Sequence, residues 1–267
     1  MGLKQGDLVI VVMKPRPAWW VILTACLRMG LVVSPGTSML SSKDLSYRIE
    51  ASEAACIISD TEDAGKFDGI EMDHPAFARK LVFGGDREGW LRYETAMASA
   101  DDAFEAPPTR ADDVTLCYFT SGTTGYPKMV LHTQASFGIG HIVTGQYWLR
   151  LEPGEVMWCI TDTGWAKAAY SAYFGPFIQG ATVFVYGAAF DPKSALELLR
   201  DYPIDVLCGA PTVYRILVQQ DLRGFKIEGL KRCFSAGEPL NPEVITAWRD
   251  FTGLSLREGY GQTETCI

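Results

Sequence analysis

The sequence predicts an α/β protein with doubly wound, mostly parallel sheets and helices on both faces. Short apolar runs of strand length alternate along the chain with longer segments of helical spacing, which is the βαβ rhythm of a parallel sheet. Glycine-rich and polar segments directly follow several of the apolar runs. In open α/β sheets, ligand-binding loops lie at the carboxyl ends of strands, so both observations favour the same fold class.

The first sixty residues justify this prediction element by element. Gly30 follows a segment of helical spacing and is a good helix C-cap. The hydroxyls of Ser41 and Ser42 can cap the first turn of a second helix. The predicted elements are, in order, a strand at 7–13, a helix at 17–29, an extended stretch at 31–33, a helix at 42–51 and a buried strand at 54–59.

The middle of the chain contains the best internal boundary. Residues 61–112 are more polar, and the segment from Ala106 to Asp113 contains paired prolines and paired aspartates. We therefore expect two α/β lobes, 1–112 and 113–267. In the second lobe an amphipathic segment is expected at 133–149, strands at 156–161, 181–186, 205–209, 231–235 and 255–259, and helices at 166–178, 192–201, 211–220 and 241–251.

Composition excludes several classes of partner. The chain has 267 residues, 48% of them hydrophobic, and a net charge of −8. This acidic balance argues against nucleic acid and an anionic membrane surface as partners. The apolar run from Trp19 to Val33 is too short to span a bilayer, so no membrane span is expected.

The cysteines and histidines predict neither disulfides nor a zinc site. The seven cysteines lack C-x-x-C spacing, their number is odd, and most lie in apolar runs, as expected of reduced, buried thiols in a cytoplasmic protein. The three histidines lack metal-ligand spacing. The cysteines are at positions 26, 56, 117, 159, 208, 233 and 266, and the histidines are His74, His132 and His141.

The segment from Thr120 to Lys128, called the phosphate loop below, has the composition of a loop that holds phosphate. Its two glycines permit backbone shapes that a Cβ would forbid, its hydroxyls are donors, and its lysine is a compact positive charge. The spacing is not that of a Walker P-loop. The candidate ligands are Thr120, Ser121, Gly122, Thr123, Thr124, Gly125 and Lys128.

Three segments in this order resemble the motifs of the adenylate-forming (AMP-binding) superfamily. They are Tyr118–Val130, Ser235–Pro239 and Gly259–Glu264. The similarity is closest to medium-chain acyl-CoA synthetases and covers nearly the whole chain. It implies the two α/β lobes of that family's large N-terminal domain, incomplete at both ends and without the C-terminal domain. It also implies ATP and Mg²⁺ as cofactors and CoA as co-substrate.

The resemblance assigns roles to the matching residues. It places the phosphate loop on the β- and γ-phosphates, Glu264 on Mg²⁺ and Thr263 on the α-phosphate, and it makes Lys128, Thr263 and Glu264 the catalytic candidates. Tyr260 would stack on adenine, with the backbone of Gly237, Glu238 and Pro239 on the other side. Gly261 and Gln262 complete the nucleotide motif. His132 follows the phosphate loop and is expected to be structural, because a carboxylate substrate is already ionised and needs no base.

Two further segments resemble the acyl-pocket lining of medium-chain synthetases. These are Asp162–Lys167, in which Trp165 would form an apolar wall, and a segment that begins with Gly209 and Ala210. The alternative interpretation of Trp165 is that its side chain packs in the hydrophobic core. Lys167 either extends to solvent from a helix start or meets the substrate carboxylate or the acyl tunnel.

Gly261 indicates the length of the acyl group. Acetyl-CoA synthetases carry Trp at this position of the motif, immediately before the Gln. Glycine leaves room for several methylenes, each contributing about 0.8 kcal/mol when buried. We therefore expect a medium-chain, branched or aromatic carboxylate.

Three interpretations of function remain open at this point. The chain is a fragment of an acyl-CoA synthetase, a truncated and inactive nucleotide-binding protein, or an adenylation domain that loads a carrier protein. The expected partners are a small carboxylate, ATP and CoA. Uncovered sheet edges would also favour a homo-oligomer.

Overall fold

The chain folds into two compact units, each with one sheet. The computed structural model describes residues 1–121, 125–223 and 225–265. The first unit comprises Met1–Ser136 with Asp162–Trp165, and the second comprises Phe137–Thr161 with Ala166–Ile267. The boundary expected at residues 112–113 falls inside the first unit, because the strand that follows it pairs with the sheet of the preceding residues.

Among the described residues of the first unit, seven strands form one sheet in the order β5-β4-β3-β1-β2-β6-β7. All pairs are parallel except β6 with β7. Strands β2 and β3 lie on opposite sides of β1. Because crossover connections between parallel strands are right-handed, the two crossovers place their helices on opposite faces of the sheet. The strands are β1 Leu8–Val12, β2 Val32–Gly36, β3 Cys56–Asp60, β4 Lys80–Phe83, β5 Leu91–Arg92, β6 Val114–Thr120 and β7 Lys128–Thr133.

The helices of this unit begin where the sequence provides caps. Helix α1 (Pro17–Arg28) has proline in its first turn, and Gly30 follows it with φ +68°. Helix α2 (Ser42–Ala51) starts from a capping box in which the side chains of Ser41 and Asp44 each bond the other's backbone N–H. Helix α3 (Tyr93–Ala98) and two 3₁₀ turns (Ala64–Phe67 and Pro75–Ala78) complete the unit.

In the described part of the second unit, five parallel strands lie in the order β12-β11-β10-β8-β9. They are β8 Val156–Ile160, β9 Thr182–Phe184, β10 Val206–Gly209, β11 Arg232–Ala236 and β12 Leu256–Gly259. The helices are α4 Gln134–Val143, which begins in the first unit, α5 Ala166–Ala169, α6 Gly175–Ile178, α7 Pro192–Asp201, α8 Pro211–Leu217 and α9 Pro242–Thr252.

Four regions differ from the expectations. Residues 61–112 contain β4, β5 and α3, and the strand β7 follows the phosphate loop. The segments 133–149 and 166–178 are helical but interrupted by π-helical turns at Thr144–Trp148 and Tyr170–Phe174. The two interrupted segments pack closely, since a Cβ on Gly145 would lie 2.5 Å from the Gly175 carbonyl oxygen.

The amino ends of β8, β10 and β11 are tied together by charge. Buried Glu155 forms an ion pair with Arg232 and accepts a second contact from Lys231 at 3.6 Å. Lys231 also contacts Asp205 at 2.8 Å, and Asp205 accepts a hydrogen bond from the Val156 amide. The charged side chains at this end of the sheet therefore pair with one another and hold the amino ends of the strands together.

Candidate functional site

The phosphate loop connects the antiparallel strands β6 and β7. Thr120 and Lys128 are direct partners in their pairing, so they face each other at the base of the loop. Ser121 and Lys128 are exposed, and Gly125 has φ +106°. Gly122, Thr123 and Thr124 lie outside the described residues. The described residues form a narrow hairpin base with a hydroxyl on one strand and an ammonium on the other.

Helix α2 holds this hairpin through two side chains that the sequence-based argument missed. The Tyr47 hydroxyl donates to the Pro127 carbonyl at 2.9 Å, and its ring stacks on that of Tyr126 with centroids 5.1 Å apart. The Arg48 guanidinium lies 4.7 Å from the ring centroid of Phe119. Burial lowers the pKa of Arg48. These contacts join residues up to 80 positions apart, so no local pattern could reveal them.

The segment Asp162–Trp165 belongs to the first unit and is anchored beyond β1 and β2. The Asp162 carboxylate accepts from the Ser38 hydroxyl at 3.0 Å and from the Gly164 amide at 2.8 Å. The Thr163 hydroxyl donates to the Met13 carbonyl. A Cβ on Gly164 would lie 2.1 Å from the backbone nitrogen of Thr37, so only glycine fits here. Trp165 is 54% exposed, which excludes core packing for its side chain within this unit.

In the second unit, the remaining candidate residues follow the carboxyl ends of neighbouring parallel strands, which we call the carboxyl edge. Gly209 ends β10 and Ala210 follows it, while the other two groups follow β11 and β12. The strand order reverses between β8 and β10, and ligands of open α/β sheets bind at such a switch point. The group after β11 is Gly237, Glu238 and Pro239. The group after β12 is Tyr260, Gly261, Gln262, Thr263 and Glu264.

The loop after β11 is fixed by its acidic residue. Glu238 accepts hydrogen bonds from the Thr212 hydroxyl and from Arg215, each at 2.5 Å. The hydrogen bond from Thr212 and the Arg215 guanidinium hold the pKa of Glu238 below its usual range. Gly237 has φ +112°, a backbone shape that favours glycine. The loop is thereby bound to the first turn of α8.

The loop after β12 presents its side chains from a closed turn. The Gln262 amide donates to the Thr265 hydroxyl and the Thr265 amide donates to the Gln262 carbonyl, both at 3.1 Å. Tyr260 is 79% exposed and Glu264 is exposed, while Gly261 and Thr263 are half-buried. The geometry leaves an aromatic face and a carboxylate available to a ligand.

Lys167 in α5 does not extend to solvent. It is half-buried, and its ammonium donates to the Ala236 carbonyl at 3.0 Å. Ala236 ends β11 and immediately precedes Gly237, so this positive charge lies at the carboxyl edge. The Lys167 ammonium is thus bound within the protein, and its role toward a substrate stays a prediction.

The histidines near these segments are packed into the protein. His132 is buried in β7. His141 is fully buried, with its Nδ1 3.1 Å from the Thr144 hydroxyl and its ring stacked on Tyr170 and Phe174. Among the described residues there is no group of three or more His, Cys, Asp or Glu side chains that could hold a metal ion, and the described cysteines are free.

Comparison with known proteins identifies the family. The family model described as AMP-binding enzyme matches residues 1–267, and the chain belongs to this family. Acyl-coenzyme A synthetase ACSM3, mitochondrial, of Homo sapiens is 46% identical over 268 aligned residues, covering 100% of this chain and 46% of the relative. Acyl-coenzyme A synthetase ACSM4, mitochondrial, of Rattus norvegicus has the same identity and the same coverage of both chains.

Solved structures agree with the fold. An acyl-CoA synthetase of Brucella canis superposes with a TM-score of 0.90 at 25% identity, covering 98% of this chain and 48% of that one. The anthranilate CoA ligase AuaEII, solved with anthranoyl-AMP, gives a TM-score of 0.92 at 21% identity, covering 98% of this chain and 51% of that one. The chain thus spans about half the length of the proteins it matches, and the α/β fold of an adenylate-forming enzyme is confirmed.

One expectation is wrong. The cytoplasmic location expected from the cysteines is contradicted, because these acyl-CoA synthetases are named as mitochondrial enzymes. Reduced thiols do not distinguish these two compartments. No helix in the described parts of the chain is both long and apolar enough to cross a membrane.

Proposed function

We propose that this chain is the nucleotide- and carboxylate-binding part of an AMP-forming acyl-CoA synthetase. In the proposed reaction a carboxylate oxygen attacks the α-phosphorus of ATP, the bond to the β-phosphate breaks, and acyl-AMP and pyrophosphate form. The CoA thiol then attacks the acyl carbon and AMP leaves. The observation that carries the proposal is the phosphate loop, held as a hairpin with Thr120 and Lys128 opposed at its base.

The first unit would bind the outer phosphates. Attack at phosphorus needs alignment and charge neutralisation more than covalent help from the protein. The exposed ammonium of Lys128 and the hydroxyls of Thr120 and Ser121 are suited to this, and Gly125 has a backbone shape in which N–H groups can converge on an anion. Gly122, Thr123 and Thr124 would contribute further donors. Tyr47 and Arg48 would keep the hairpin in place before the nucleotide arrives.

In the second unit, the loops after β11 and β12 carry the other residues that we assign to the nucleotide. Tyr260 offers an exposed ring to adenine, and Gly237, Glu238 and Pro239 form a loop whose position is fixed by α8. Thr263 would contact the α-phosphate. Glu264 has an exposed carboxylate, which is the ligand that Mg²⁺ uses when it binds together with nucleotide phosphates. Bound there, Mg²⁺ would supply positive charge to the phosphates.

The acyl group is proposed to be longer than acetate. Gly261 carries no side chain to fill the space beside the nucleotide motif, and Trp165 is an exposed apolar surface. Gly209 and Ala210 are small residues at the carboxyl edge. Lys167 places an ammonium at the same edge, where it could attract the carboxylate. The names of the two acyl-coenzyme A synthetases support an acyl group as the substrate class and say nothing of its length.

Carboxylate-dependent ATP–pyrophosphate exchange tests the reaction. The assay compares this chain, a longer version from the same gene, and Lys128→Ala in each. We expect exchange by the longer version, and a loss of about 10²–10³-fold in Lys128→Ala, because the lost charge neutralises phosphate in the transition state. A longer version that binds ATP without exchange would overturn the ligase function and favour an inactive nucleotide-binding protein. Acyl transfer to a carrier protein instead of CoA would favour the adenylation-domain alternative.

A carboxylate panel in the same assay tests the acyl pocket. We expect acids from butyrate to octanoate, or branched or aromatic acids, to be preferred over acetate. Gly261→Trp should lower kcat/KM for the longer acids and leave acetate less affected, because an indole would occupy the space of several methylenes. Gly138→Ala is the control, since a Cβ at Gly138 meets nothing within 4 Å. A preference of the parent protein for acetate would contradict the proposed chain length.

A further inference from the structure

Strand pairing brings two cysteines together near the carboxyl edge. Cys159 in β8 and Cys208 in β10 are direct partners in the parallel register of these strands. Neighbouring strands lie about 4.8 Å apart, and the Cα atoms of a disulfide are usually about 4.4–6.8 Å apart. The two thiols also interact with each other directly. The pair therefore has the spacing that an intramolecular disulfide requires.

The surroundings of the pair favour a thiolate. The Lys167 ammonium, which donates to the Ala236 carbonyl, also acts electrostatically on the Cys208 thiol. The hydrogen bond from Cys159, and next the Lys167 charge, lower the pKa of Cys208 to about 6, while the same shared proton raises the pKa of Cys159. By contrast, burial raises the pKa of Cys26, Cys56 and Cys233 to about 12.

The pair also has a route to small reagents. Cys208 is fully buried, but Cys159 and Lys167 are only half-buried. The two strands that carry the cysteines are those between which the strand order reverses, where open α/β sheets have their crevice. Cys159 is therefore the member of the pair that is more accessible to a small molecule.

We propose that Cys159 and Cys208 form a redox-active dithiol that a small hydroperoxide converts to a disulfide. One thiolate attacks the peroxide, the O–O bond breaks, and a sulfenic acid forms with release of water or an alcohol. The second thiol attacks the sulfenic sulfur, the S–S bond forms, and water leaves. The two sulfurs together lose two electrons, which the peroxide takes up. The disulfide ties β8 to β10 and removes the thiolate that faces Lys167.

This proposal is independent of the enzymatic function. It depends on the register of β8 and β10 and on the Lys167 charge, and it can be tested without a turnover assay. Cys233 is a matched control, because it is buried in the neighbouring strand β11 and lacks a lowered pKa.

Peptide mapping after peroxide treatment is the main test. The reduced chain is treated with one equivalent of hydrogen peroxide, and the remaining thiols are alkylated in denaturant. We expect a Cys159–Cys208 cross-linked peptide that has lost two hydrogens, formed about tenfold faster than Cys233 is oxidised, because thiolate character sets the rate. The cross-link should not form in Cys208→Ala and should form normally in Cys233→Ala. Its absence from the folded chain, or equal oxidation of Cys233, would overturn the proposal.

A second measurement tests directly whether the two thiols are neighbours in the reduced, folded chain. A trivalent arsenical that bridges two neighbouring thiols should bind the reduced chain, and either Cys159→Ala or Cys208→Ala should abolish that binding. Lys167→Met should slow the cross-linking about tenfold, and Lys167→Arg should restore most of the rate. Retention of arsenical binding in both alanine variants, or an unchanged rate in Lys167→Met, would contradict the site as described.

Discussion

The two ends of the five-stranded sheet use polar residues in opposite ways. At the amino ends of β8, β10 and β11, Glu155 is buried and paired with Arg232, and Lys231 joins Asp205. At the carboxyl edge, Tyr260 is 79% exposed and Glu264 is exposed. At the amino end, the charged side chains pair with one another and hold the strands together. At the carboxyl edge, exposed polar and aromatic groups remain available to a ligand.

The difference follows from the fold. A parallel sheet directs all its carboxyl ends to one edge, and the loops that follow can converge there. Residues at the opposite edge contribute to stability, because their neighbours are other strands of the same sheet. Substitutions at the two ends should therefore separate stability from ligand binding. Of the following four substitutions, ordered from the largest expected effect to the smallest, the first two test that separation, and the other two measure how far packing and charge at the carboxyl edge also contribute to stability.

Glu155→Gln should have the largest effect on stability. It leaves the guanidinium of Arg232 without its carboxylate partner, and breaking a buried ion pair costs about 3–5 kcal/mol. The free energy of unfolding measured by urea denaturation should fall accordingly, with nucleotide affinity in the folded protein unchanged. The matched control is Glu152→Gln, an exposed carboxylate in the same loop. Equal losses in the two variants would show that the ion pair does not hold the amino end.

Glu264→Gln should show the opposite pattern. We expect ATP–pyrophosphate exchange in an active version of the protein to fall about 10²–10³-fold, as for other groups that stabilise transition-state charge, while the midpoint of urea unfolding stays constant. Glu228→Gln, an exposed carboxylate outside the carboxyl edge, serves as the control. Undiminished exchange at saturating Mg²⁺ would remove Glu264 from the proposed metal site.

Gly259→Ala should reduce stability at the carboxyl edge by a smaller amount. A Cβ there would lie 2.6 Å from the ring of Trp148, and overpacking of this kind costs about 1–3 kcal/mol. Thermal unfolding should report the loss, and replacing Trp148 with leucine in the same protein should recover part of it. If Gly259→Ala unfolds like the wild type, then the indole is not packed on β12.

Glu238→Gln should have the smallest effect, and one that depends on pH. Because the folded-state pKa of Glu238 is lowered by Thr212 and Arg215, its contribution is present above the unfolded pKa of about 4.3 and is lost as pH falls through the lower folded value. The pair is 39% and 40% exposed, so the contribution should stay under about 1 kcal/mol. Urea unfolding at pH 7 and at lower pH should show the wild-type advantage shrinking with acid. An advantage that grows on acidification would reverse the sign and contradict this assignment.

The two sheets also differ in how well the sequence predicted their strands. The strands of the second sheet were expected close to their observed positions, because apolar runs such as Val206–Gly209 are buried on both faces of a parallel sheet. Strand β7 was missed, because it lies at the edge of its sheet and most of its side chains are exposed or half-buried. The short elements within residues 61–112 were missed for a related reason, since β5 spans only Leu91–Arg92 and its burial depends on its neighbour.

The sequence by itself determined the fold class, the family and the segments that carry the candidate site. Each of these depends on local order along the chain: apolar runs that form strands, glycines where φ is positive, and motifs of a few contiguous residues. Only the tertiary structure decided that Tyr47 and Arg48 hold the phosphate loop, that Lys167 binds the end of β11, and that Cys159 lies beside Cys208. These contacts join residues tens of positions apart, and their geometry is set by strand order and register, which no local pattern encodes.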